Sequence, residues 1–198
     1  MSIAVRSLAI LALIGAAACG RVAPDGPSPR SGPFAVAGFG GVLLDNDYQE
    51  VFTPAELDVE SAQLLGLAGS ARVARPFEAL ELSLEAQLVR HVHLQTHWEL
   101  NAPVATARWT AFPWDAYFDT SAAFGLGLSV TSETPRLERR NEGSSQPLMA
   151  YWMFEIALAL PAEQWEVLGR LHHRSTAYGT FGEDGGANAL VLGLRRRF

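Results

Sequence analysis

Across residues 118–131 the chain alternates without a break. Phe118, Thr120, Ala122, Phe124, Leu126, Leu128 and Val130 fall on one face, and Asp119, Ser121, Ala123, Gly125, Gly127, Ser129 and Thr131 on the other. Residues two apart share a face in a β-strand and not in a helix. The same pattern sets Leu80, Leu82, Leu84, Ala86 and Leu88 against Glu81, Ser83, Glu85 and Gln87. It also sets Ala150, Trp152, Phe154, Ile156 and Leu158 against Tyr151, Met153, Glu155 and Ala157. No run beyond Pro33 approaches the ~20 apolar residues of a membrane helix, whereas a tilted strand crosses a bilayer in about 9–11 residues.

Eight such segments are predicted, over residues 34–44, 62–74, 79–90, 94–110, 118–131, 148–160, 164–178 and 188–198. Pro103 breaks the phase of the fourth and predicts a bulge. A short helix competes over residues 54–66, which place Pro54 just inside a possible helix start. The connections over 45–61, 132–147 and 179–187 are long or medium, while 75–78 and 161–163 are short. Outer-membrane barrels have short periplasmic turns and longer external loops, so the fold class expected is an all-β, eight-stranded antiparallel transmembrane β-barrel with its first strand starting on the periplasmic side.

Aromatic residues fall into two candidate girdles. Phe77, Trp109, Phe112, Trp114, Tyr117, Trp165 and Phe198 lie at the periplasmic ends, and Trp98, Tyr151, Trp152, Tyr178 and Phe181 near the outer ends. An aromatic last residue on an amphipathic strand, here Phe198 after Leu190, Leu192 and Leu194, is an outer-membrane assembly signal, so the assembly machinery is an expected partner. Arg196 interrupts that face. Glu81, Glu85, Glu99, Glu155, Arg170, His172, Arg174, Arg195 and Arg197 would point inward and pair, because a buried unpaired charge costs several kcal/mol. An eight-stranded interior filled this way is no pore.

The N-terminus reads as export machinery. Arg6 precedes the apolar run 8–14, and small residues follow to Ala18, giving a signal peptide over 1–18. Ala16-Ala17-Ala18 before Cys19 admits two endings, a lipobox with Cys19 lipidated or ordinary cleavage after Ala18. A Pro/Gly/Ser-rich linker over 19–33 then leads to the barrel, 34–198. One cysteine excludes a disulfide framework and a cysteine-based zinc site. A net charge of −6, with all 15 basic residues arginine, argues against nucleic acid as a partner.

Chemistry concentrates in Arg170-Leu171-His172-His173-Arg174-Ser175. His173 and Ser175 share a face with Trp165, Val167, Gly169 and Leu171, opposite Glu166, Arg170, His172 and Arg174. In a membrane barrel that face meets lipid, an odd place for an imidazole and a hydroxyl unless the substrate is itself a lipid. Serine needs the imidazole as base, and the imidazole needs a third group to hold it. Glu183, in the loop after the seventh strand, is the candidate third group. Gly179 and Asn188 are candidate donors to an oxyanion. His91 and His93 read as solvated turn residues, with no third metal ligand evident. Arg136, Arg139 and Arg140 fit either a solvated loop or contacts to lipopolysaccharide phosphates.

A histidine, one residue, then a serine on the penultimate strand of an exported eight-stranded barrel ending in Phe198 resembles the PagL-type lipid A 3-O-deacylases. The likeness extends to Arg108-Trp109, Phe112-Pro113-Trp114, Gly127-Leu128-Ser129 and the tail from Gly185 to Phe198. Thr176 stands where those sequences have asparagine, and their acid lies farther downstream than Glu183. The resemblance implies an outer-membrane esterase with a serine–histidine–acid triad on the lipid-facing exterior, removing an ester-linked acyl chain from lipid A or a related lipid without a cofactor. Carried over, Ser175 is nucleophile, His173 base and Glu183 orienting acid. Two rivals stand beside it: a non-catalytic barrel for anchoring or adhesion, and a lipid-binding lipoprotein barrel with its apolar faces inward.

Overall fold

The computed structural model describes residues 32–45, 57–161, 164–183 and 185–198. The signal peptide, Cys19 and nearly all of the linker lie outside the described residues, as does Pro54. The helix that competed over 54–66 is not formed in its described part, where strand β2 runs from Val59 and pairs with its neighbour through Leu64, Leu65 and Gly66. Each alternating segment is a strand: β1 (Phe34–Leu44), β2 (Val59–Phe77), β3 (Leu80–Val92), β4 (His97–Trp109), β5 (Thr120–Thr131), β6 (Leu148–Ala159), β7 (Trp165–Ser175) and β8 (Gly186–Arg197). Every neighbouring pair is antiparallel, and β8 pairs back onto β1 to close the barrel in chain order. Closure leaves no sheet edge. The two ends of the barrel wall meet where Phe34 and Phe198 exchange backbone hydrogen bonds of 3.2 and 3.0 Å.

The predicted bulge is present. The ladder slips between Glu85 and Gln87 on β3 and between Asn101 and Val104 on β4, around Pro103. Gly127 on β5 accommodates it, since a Cβ there would lie 2.3 Å from the Pro103 carbonyl oxygen. Among the described residues one helix, α1 (Arg136–Glu142), interrupts the connection over 132–147 that was expected to be a loop.

The exterior is apolar. Leu65, Leu67, Leu88, Leu100, Phe124, Leu126, Ile156, Leu158, Leu192 and Leu194 are all exposed. The interior is charged. Glu155, fully buried, accepts from Arg108 at 2.5 Å, from Arg170 at 2.8 Å and from Arg195. Arg170 also reaches Glu85 at 3.0 Å, and Arg197 bridges Glu81 and Glu166 at 3.2 and 3.4 Å. A water-soluble barrel has the opposite distribution. This one belongs in a medium where exposed leucine costs nothing and charge must be paired internally.

Two expectations are corrected by packing. Tyr151 is not a girdle residue; it sits in the lumen, fully buried, with its hydroxyl 3.3 Å from His172 Nδ1. His91 is not solvated either. It faces inward and reaches Glu99 Oε2 at 2.6 Å, while His93 stays exposed at the turn. Glu99 holds His172 on its other oxygen at 3.0 Å. Of the girdle tryptophans, Trp98, Trp109, Trp114 and Trp165 are exposed and Trp152 is half-buried, and Arg196 lies over the Trp165 ring at 5.9 Å.

Candidate active site on the barrel exterior

Parity fixes the direction of the pair. On β7, Glu166, Arg170, His172 and Arg174 point into the lumen charge network, so His173 and Ser175 point out. Strand pairing then aligns a transverse row near the rim where β7 ends: Leu44 on β1, Asn188 on β8, His173 on β7 and Trp152 on β6. The next rows toward the middle of the barrel carry Val42, Leu190, Leu171 and Phe154, then Gly40, Leu192, Gly169 and Ile156.

His173 points outward, yet only 7% of it is exposed. Trp152 lies against one side with ring centroids 4.5 Å apart, and Asn188 meets the other, with Oδ1 2.7 Å from His173 Nδ1. Beside them Leu44 and Leu171 pack with Leu57, Trp152 and Leu190. Ser175 ends the strand and is partly exposed. Its Oγ accepts a 3.4 Å hydrogen bond from the Ala177 amide.

Immediately beyond Ser175 the backbone turns hard. Ala177, Tyr178 and Gly179 all have left-handed φ values, of 50°, 54° and 85°. Two non-glycine residues in that region form a strained turn, and strain of this kind gathers at functional sites. The Thr180 amide closes the turn on the Ala177 carbonyl at 3.2 Å, and Phe181 closes it on Thr176 at 3.0 Å. Successive amides in such a turn form a concavity suited to an anion.

The sequence candidates are therefore only partly assembled. His173 and Asn188 are in contact, Ser175 is their neighbour on the same face, and Gly179 lies in the turn that follows. Glu183 is elsewhere. It is exposed, and its contact is through the backbone, the carbonyl accepting from Ser144 Oγ at 3.1 Å. The group at His173 Nδ1 is Asn188, because the tight β7–β8 register brings residue 188 opposite residue 173 while Glu183 stays in the loop. Trp152 was expected in a girdle and Arg174 among the lumen charges, and neither was assigned to the site. Arg174 locks the end of β7 from inside, bonding to Ser129 Oγ at 2.8 Å, the Gln146 carbonyl at 3.1 Å and the Glu138 carboxylate of α1.

Below the row of His173 the exterior is grooved. Gly40 and Gly169 contribute no side chain, and Val42, Phe154, Ile156, Leu171, Leu190 and Leu192 wall a trough of about 540 Å³. The trough runs from the rim where β7 ends toward the middle of the apolar belt. An alkyl chain has the shape and polarity to lie there.

No family model and no curated protein matches the sequence. Two solved structures share the fold. The outer membrane enzyme PagL superposes with a TM-score of 0.58 at 17% identity, covering 83% of this chain and 99% of its own. Neisserial surface protein A (NspA) does so with a TM-score of 0.51 at 10% identity, covering 85% and 98%. At these identities the likeness is one of architecture. The chain is an all-β, closed eight-stranded antiparallel barrel of the same build as those two outer-membrane proteins.

Proposed function

We propose that this barrel sits in the outer membrane of a Gram-negative bacterium and hydrolyses an ester-linked acyl chain of lipid A or a related membrane lipid. The observation that carries the reading is the position of the pair. A histidine and a serine on the lipid-facing side of the wall, at the outer rim, stand at the head of an apolar trough. A water-soluble substrate does not arrive by that route. A lipid ester does, with its carbonyl at the polar boundary and its chain below.

The chemistry follows from the atoms present. Rotation about the Cα–Cβ bond brings Ser175 Oγ from the Ala177 amide toward His173. As Oγ bonds to the acyl carbonyl carbon, its proton passes to the imidazole. Negative charge develops on the carbonyl oxygen beside the left-handed turn, where the Gly179 amide is the candidate donor. Collapse breaks the bond to the lipid's alkoxide, which takes the proton back from the imidazolium. Water repeats the sequence and frees the fatty acid. No step calls for a metal or cofactor.

The fold shared with an enzyme and with a surface protein agrees equally with a non-catalytic barrel, and the pair with its trough favours the enzyme. Purified protein in detergent micelles, given lipid A, is expected to release free fatty acid. Ser175→Ala and His173→Ala should each lower the rate by about 10³-fold or more. Equal release by native protein and both variants would overturn the assignment.

A further inference from the structure

The ring of His173 is held on both flanks before any substrate arrives. Its Nδ1 lies 2.7 Å from Asn188 Oδ1, straight across the β7–β8 ladder. An amide oxygen only accepts, so Nδ1 is the donor and carries the proton, which leaves Nε2 with the basic lone pair. His173 is 7% exposed and Asn188 5%. Trp152, next in the same row, blocks the other side of the ring at 4.5 Å.

We infer that Asn188 is the positioning residue of this site: its side-chain oxygen holds His173 in the Nδ1–H tautomer, the place that an acid fills in the esterases the sequence resembles. The inference rests on the esterase reading. It changes two roles: Asn188 holds the ring in place of donating to an oxyanion, and the third member is a neutral amide on a strand and not the loop carboxylate of Glu183. An amide gives direction without charge. The Nδ1–H bond persists while Nε2 gains and loses the proton, so the ring need not reorient during turnover. An amide is also reversible in a way a carboxylate is not. Turned over, its NH2 would donate to Nδ1, drive the proton to Nε2 and remove the base. A carboxylate at this position has no donor to present, so Asn188→Asp preserves the hold and Asn188→Leu abolishes it.

The test uses the full chain in detergent micelles, labelled with 15N-histidine, with the His173 resonances assigned by their loss in His173→Gln. Native protein and Asn188→Asp should both show the Nδ1–H tautomer, and Asn188→Leu should shift the population to Nε2–H. Turnover of lipid A should follow the same order. Asn188→Leu should lose about 100-fold or more in kcat with KM little changed, as expected when the imidazole is held in the wrong tautomer. Asn188→Asp should stay within about tenfold of native. An Nε2–H tautomer in the native protein, or an Asn188→Leu variant with native kcat, would overturn the role of Asn188. A native protein with the Nδ1–H tautomer, dependent on Asn188 but without turnover, would support the hold on the ring and overturn the esterase reading.

Discussion

At the scale of single residues, the interior shows most clearly what the chain spends to fold. Glu155 is one carboxylate among three guanidinium groups, those of Arg108, Arg170 and Arg195. Glu155→Gln keeps the volume and one acceptor oxygen but leaves three cations around a neutral group. Removing one partner of a buried ion pair costs about 3–5 kcal/mol. Urea unfolding in lipid vesicles should register a loss of that size, and a loss below about 1 kcal/mol would show that the network is not what holds the lumen. The inward charges were legible because alternation assigns every second residue. The position of Asn188 was legible by the same rule, since it continues the outward series of Leu190, Leu192 and Leu194. Its contact with His173 was not, because facing residues depend on the hairpin register, and the loop between the two strands hides that. Glu183 was the plausible acid because alternation turns Glu99 and Glu155 to the lumen and the loop after the seventh strand can fold back toward His173.

At the scale of elements, strands are written plainly and the helix is not. A strand needs only its period of two, which survives the Pro103 bulge. Helix α1 has no apolar stripe: Leu137 is its single buried apolar residue, amid Arg136, Glu138, Arg139 and Arg140. What holds it is tertiary. Glu138 pairs with Arg174, Arg140 pairs with Glu60 on β2, and Gln95 accepts from the Arg136 amide at 2.6 Å. Nothing in the local sequence announces partners so far away in the chain. Arg174→Ala should release α1 and the end of β7 together, leaving Glu138 buried without its cation at a cost of about 3–5 kcal/mol. Limited proteolysis should then cut within residues 132–147 while the barrel stays intact. Resistance equal to native would mean that the other anchors suffice.

At the scale of the whole molecule, the rival fold reading is a soluble barrel with the same strands turned inside out. The structure has leucine outside and arginine within, which decides against it. Leu192 lies near the middle of β8 on the exterior and is 58% exposed. Arginine in its place should cost about 2–4 kcal/mol for folding into a bilayer, as expected near the midplane of a membrane barrel. An exposed leucine on a water-soluble protein would change stability by no more than about 0.5 kcal/mol on the same substitution. Folding titrations in vesicles separate the two.

The central claim is that chemistry happens on the lipid-facing wall, at Ser175. Mass spectrometry of lipid A from cells expressing the native chain, beside cells expressing Ser175→Ala, tests it most directly. The account predicts the loss of one acyl chain from lipid A with the native protein and intact lipid A with the variant, both proteins being inserted in the outer membrane. Intact lipid A with both, or the same loss with both, would contradict it.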